Sequence, residues 1–126
     1  LQKLAFYAQV QHLVTTGAPL FPEDFQAWRG GPVVPELYAL HRGKFLIRPG
    51  ELEGGDSSTL TDHERSVIDN VCAAMGHATG AELSERTHRE SPWLDARNGR
   101  KPSEPSDAVI TQDAMHSYYL EHPVFI

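Results

Sequence analysis

The clearest pattern in the chain is its first sixteen residues, "LQKLAFYAQVQHLVTT". Leu1, Leu4, Ala5 and Ala8 recur at helical spacing, and Phe6, Val10, Leu13 and Val14 widen the apolar stripe. So broad a stripe predicts a central helix with neighbours on more than one side. Gly17 suits a left-handed C-terminal cap, and Pro19 stops the helix from continuing. The next stretch, "PLFPEDFQAW", reads equally as a helical turn or a strand. Pro35 opens a second helix, "PELYALHR", ending at Gly43, because the first helical position needs no N–H. "KFLIR", residues 44–48, alternates as a short strand before the turn dipeptide Pro49-Gly50, and residues 50–59 read as a loop.

Thr61 and Glu64 form a capping box for a helix that places Val67, Ile68, Val71, Cys72 and Met75 on one face and closes at Gly76. On that face Cys72 is expected to be a buried packing residue. Thr79 and Glu82 repeat the capping box before "ELSERTH". Ser91 as cap and Pro92 behind it start another helix, which Asn98-Gly99 stops. A Pro- and Ser-containing loop then leads to Ile110-Thr111 and a last helix, "QDAMHSYYLEH", where Tyr119 and Tyr118 point about 100° apart. The fold class is therefore mainly α: a compact bundle of five or six short helices with at most a small β-hairpin, in a single domain spanning residues 1–126.

Composition agrees with that picture. At 126 residues and 40% apolar content the chain can bury a core without disulfides, and its one cysteine allows no intrachain bridge. No run resembles a membrane span or a signal peptide, so the expected location is the cytoplasm and no membrane partner is expected. The chain opens at Leu1, without Met and inside the helical pattern, which reads as a trimmed N-terminus. A net charge of −6 argues against a nucleic-acid partner. The charge is uneven: residues 51–64 hold five carboxylates and no Lys or Arg, whereas residues 86–101 hold Arg86, Arg89, Arg97, Arg100 and Lys101 against two carboxylates.

Chemical motifs are missing. His63-Glu64 is followed by Val67 where a zinc-binding HExxH needs a second histidine. No two of the seven histidines stand four apart, and one cysteine cannot build a cysteine zinc site. There is no Gly-x-Ser-x-Gly elbow and no Walker loop. No enzyme, metal or cofactor is expected. What stands out instead is "QAWRGGPVVPELY", residues 26–38, and "THRESPW", residues 87–93, which combine aromatic rings, guanidiniums and turn residues. Trp28 reads as an apolar anchor, Gly31 as a backbone position closed to other residues, and Pro32 as a fixed φ. Trp93 reads as a buried anchor and His88 as bonded to backbone. Both segments also carry the residue types of interface hot spots.

"LQKLAFYAQ", "GAPLF", "QAWRGGPVVPELY" and "LSERTHRESPW", in that order, closely resemble the SocA-like antitoxin domain, also called the Panacea domain. The resemblance runs from residue 1 to about 97 and continues more weakly through the last helix. It implies that Gly31, Pro32, Val33, Pro35, Thr87 and Pro92 are structural residues of the family motifs. It further implies a bacterial or phage antitoxin that neutralises, by direct contact, a toxin encoded by the adjacent gene. The alternative it implies is an adaptor that delivers the toxin to the ClpXP protease. The expected partner-binding residues are Trp28, Arg29, Tyr38, His88, Arg89 and Trp93. Neither the toxin's class nor the oligomeric state follows from the sequence. A DNA-binding autoregulator and an unrecognised enzyme stand as rival readings.

Overall fold

The computed structural model describes residues 2–41, 61–75, 78–101 and 104–124. In chain order the elements are α1 (Gln2–Thr16), β1 (Phe25–Trp28), β2 (Gly31–Val33), α2 (Pro35–His41), α3 (Asp62–Met75), α4 (Gly80–His88), α5 (Ser91–Ala96), β3 (Val109–Ile110) and α6 (Gln112–Glu121). The fold is mainly α, with six helices among the described residues and one small antiparallel sheet of order β2-β1-β3.

The broad stripe of α1 does what its width predicts. Phe6, Tyr7, Ala8, Val10 and Leu13 are all buried, and α1 packs against α3, α4, α6 and β2. Phe6 lies edge-on to Phe25 of β1 and to Tyr119 of α6, with ring centroids 5.2 Å and 6.1 Å away. Edge-to-face contacts of this kind add to the burial of the rings themselves. The polar residues of α1 that are buried satisfy irregular backbone. The Gln2 carboxamide oxygen accepts from the Val34 N–H at 3.0 Å. That of Gln9 accepts from the Leu20 and Phe21 N–H groups at 2.7 and 3.3 Å. Gly17 closes α1 at φ +77°, its N–H bonded to the Leu13 carbonyl.

Both capping boxes form, with Thr61 and Thr79 hydroxyls accepting from the N–H groups of Glu64 and Glu82. Elsewhere the sequence pattern needs correction. Cys72 is exposed rather than packed in the core, because the buried line of α3 runs through Val67, Val71 and Met75. Cys72, one residue past Val71, is turned about 100° away from it. Glu90 holds the N-cap position of α5 without a side-chain capping bond, and Ser91 and Pro92 are the first two helical residues, so the helix starts one position earlier than the Ser91 cap expected. Within "PLFPEDFQAW" only Phe25–Trp28 forms a strand, β1, and neither β2 nor β3 was anticipated. The strand expected at "KFLIR", the Pro49-Gly50 turn, the 50–59 loop, the end of α2 at Gly43 and the stop at Gly76 lie outside the described residues.

Candidate partner-binding site

The two motif segments meet. β1 and β2 form a hairpin around Arg29-Gly30, with Gln26 opposite Val33, Ala27 opposite Pro32 and Trp28 opposite Gly31. Helices α4 and α5, joined through the "THRESPW" segment, clamp this hairpin through its carbonyl oxygens. The Ser84 hydroxyl donates to the Gly30 carbonyl at 2.8 Å. The Trp93 indole N–H donates to the Trp28 carbonyl at 2.9 Å, and Arg97 Nη1 donates to the Ala27 carbonyl at 3.0 Å. Gly31 sits at φ +132°, and a Cβ there would lie 3.2 Å from Lys3 Cε and 3.4 Å from the buried Thr87 hydroxyl. Only glycine combines that backbone conformation with so close an approach. Pro32 and Pro92 are buried, and Pro35 begins α2 as expected.

Beneath the hairpin three side chains are stacked. His88 lies parallel to Trp93, with centroids 4.0 Å apart and planes 14° from parallel. The Arg97 guanidinium sits 4.8 Å from the centroid of the same ring. Trp93 is 3% exposed and Arg97 only 1%. Burial holds the His88 imidazole below its usual range; the Lys3 and Arg97 charges push the same way, against a bond to the Gly30 carbonyl that favours the cation. Arg97 also donates through Nη2 to the Lys101 and Glu104 carbonyls, so one buried guanidinium ties β1 to the loop before β3. Its Nε–H has no partner among the described residues. Arg97 was missed as a site residue, although its place four residues after Trp93 is a helical spacing at which a cation can reach a ring.

Glu90 makes the other tie. Tyr7 and Tyr119 hydroxyls both donate to its Oε1, and Arg86 Nε lies 3.6 Å from Oε2. Arg86 also lies over the Tyr7 ring and donates to the Val124 carbonyl. Burial first, then Glu90, pushes both phenols well above their ordinary range, so each remains a neutral donor. This cluster joins α1, α4 and α6.

The outer row of the hairpin is different. Burial alternates along β1, with Phe25 and Ala27 inside and Gln26 and Trp28 half-buried. Trp28 is therefore a half-exposed ring and not the buried anchor that its size suggests. It meets Tyr38 of α2 edge-on at 5.0 Å, and its indole N–H donates to the Gln26 carboxamide oxygen at 2.8 Å. Exposed Arg29 stands beside it in a cleft of about 590 Å³, which Trp28 and Gln26 share with Arg100, Pro105, Ser106 and Asp107. The six residues expected to bind a partner thus divide. Trp28 and Arg29 line this cleft and Tyr38 touches the Trp28 ring from α2; His88 and Trp93 support the hairpin from α4 and α5. Arg89 is exposed in a separate groove between α3 and α4, with Ala74 and Met75. Among the described residues no group of three or more His, Cys, Asp or Glu side chains is placed to hold a metal ion. Nor is any helix among them long and apolar enough to cross a membrane.

Comparison with known proteins follows the same segments. The family described as "Antitoxin SocA-like, Panacea domain" matches residues 1–94, which include α1, the hairpin, α4 and the start of α5. The protein named Antitoxin SocA of Caulobacter vibrioides (strain NA1000 / CB15N) is 29% identical over 110 residues, covering 79% of this chain and 58% of that protein. The chain therefore spans somewhat over half of the length of this relative. No solved structure matches the chain.

Proposed function

The chain belongs to the SocA-like antitoxin, Panacea domain family, and from that premise we propose that it neutralises a toxin encoded by the adjacent gene through direct protein–protein contact in the cytoplasm. The observation that carries this reading is the family match over residues 1–94, reinforced by likeness to a protein named Antitoxin SocA. The site agrees in kind. Its inner residues are occupied in holding the hairpin, and its outer residues combine Trp28, Tyr38 and Arg29, the residue types in which interface binding energy concentrates. In this reading the protein works by occupying its partner and needs neither catalysis nor a cofactor.

Co-expression with the product of the adjacent gene tests it. The expected result is a neighbour that arrests growth alone, is harmless alongside this chain, and co-purifies with it as a stable complex. Rescue accompanied by disappearance of the neighbour's protein, dependent on ClpXP, would replace neutralisation by contact with the adaptor role. A neighbour that is harmless alone would contradict the antitoxin reading.

A further inference from the structure

Pairing register fixes which side chains share a sheet face, because residues directly opposite each other project to the same side. Gln26 pairs with Val33 on one side and with Val109 on the other. The outer face of the sheet therefore carries Val33, Gln26 and Val109 in one row across three strands, with Trp28 next along β1. Val109 is 45% exposed, and Val33 is only half-buried. This row, two valines flanking Gln26, runs beside the cleft in which exposed Arg29 and Arg100 stand.

The cleft is built and not merely a gap between loops. Arg97 binds β1 on one wall and the Lys101 and Glu104 carbonyls on the other. Arg100 Nη1 donates to the Pro105 carbonyl at 3.1 Å, which holds its guanidinium at the rim. Two exposed guanidiniums, Arg29 and Arg100, line the cleft with one carboxylate, Asp107, in a chain whose net charge is −6. The local sign is thus opposite to that of the molecule.

We propose that this sheet face and cleft dock an acidic segment of the toxin, with an apolar side chain against Trp28 and Val109 and carboxylates on Arg29 and Arg100. The assignment rests on the antitoxin reading and adds to it the surface and the chemistry of the partner. Opposite charge across the contact would steer encounter and fix register, while the desolvated ring supplies the anchor. Peptide chemistry fits better than phosphate chemistry. Gln26, Ser106 and Asp107 offer side-chain partners for the backbone amides that accompany a peptide's carboxylates, groups that a bare phosphate would leave unused.

The test uses the purified full chain and the product of the adjacent gene, titrated at low and high salt. Arg29→Glu/Arg100→Glu should weaken the complex about tenfold or more and flatten its salt dependence, with the melting temperature unchanged. Equal affinity at both salt concentrations overturns the proposal. If the double variant melts lower, Arg29→Glu alone decides, since Arg29 is exposed in the hairpin turn: a loss of about threefold or more is expected, and none overturns the proposal. Should the double variant lose binding to double-stranded DNA from its own operon while toxin affinity holds, the cleft reads phosphate and the proposal is overturned. Absence of any complex with the unaltered chain would instead remove neutralisation by direct contact, and this surface with it.

Discussion

Trp93 and Trp28 meet the same hairpin, one as a donor to it and one as a residue of it, and they sit in opposite environments. Trp93 is 3% exposed, bonded to the Trp28 carbonyl and held between His88 and Arg97. Trp28 is half-buried, touches Tyr38 by its edge, and lines a cleft with Arg29 and Arg100. The difference arises from where each ring's polar and apolar parts are satisfied. Trp93 uses its N–H to bind backbone across 65 positions of sequence, which is a folding contact. Trp28 bonds Gln26 two residues away on its own strand and leaves part of its ring exposed.

The contrast would break first at Trp93. Trp93→Ala should cost about 3–5 kcal/mol in denaturant unfolding, the range for removing a large buried ring. A loss well below that would place Trp93 outside the core. Gly31→Ala should follow, at about 2 kcal/mol, from a strained φ together with a Cβ pressed on Lys3 and Thr87. Normal stability there would mean the hairpin and α4 do not meet so closely. Trp28→Ala should cost only about 1–2 kcal/mol, because roughly half of the side chain's burial is at stake, yet weaken the toxin complex about tenfold or more. A large stability loss with unchanged affinity would reverse the assigned roles of the two indoles.

The smallest effect concerns pH. The folded His88 holds its imidazole below the ordinary range, so the unfolded chain takes up the proton first, at about pH 6.5. More protons bound in the unfolded state means stability rises with pH. The His88 contribution is therefore complete above about pH 6.5, is lost as pH falls toward the lowered folded value, and changes no further below it. His88→Gln should flatten that part of the stability–pH curve. An unaltered slope would show that the stacked imidazole is not the group responsible.

Much of this architecture was legible because local rules and packing agree. The α1 stripe, both Thr–Glu capping boxes, the Gly17 stop and the Pro35 start each depend on residues within one or two turns of one another. What escaped depends on long-range partners. A two-residue strand such as β3 has no periodicity to detect, and exists because β1 offers it an edge at Phe25 and Gln26. Cys72 looks apolar in a helical count, but the buried line of α3 passes through Val71. The site was legible as segments rather than as a surface. "QAWRGGPVVPELY" and "THRESPW" were both visible, while their meeting at Gly31 and Thr87 was not. Neither was the role of Arg97, whose acceptors are carbonyls at 27, 101 and 104. Side-chain bonds to backbone leave no complementary charge in the sequence to betray them.

The chain has only two tryptophans, so its two indole N–H resonances report the two regions separately. The most direct measurement is therefore a titration of the isotope-labelled chain with the unlabelled product of its adjacent gene, followed at those two signals. The Trp28 indole signal is expected to shift or broaden as the complex forms, while the Trp93 signal stays at its free position. Movement of Trp93 with Trp28 unchanged, or a complex that leaves both signals in place, would contradict that expectation.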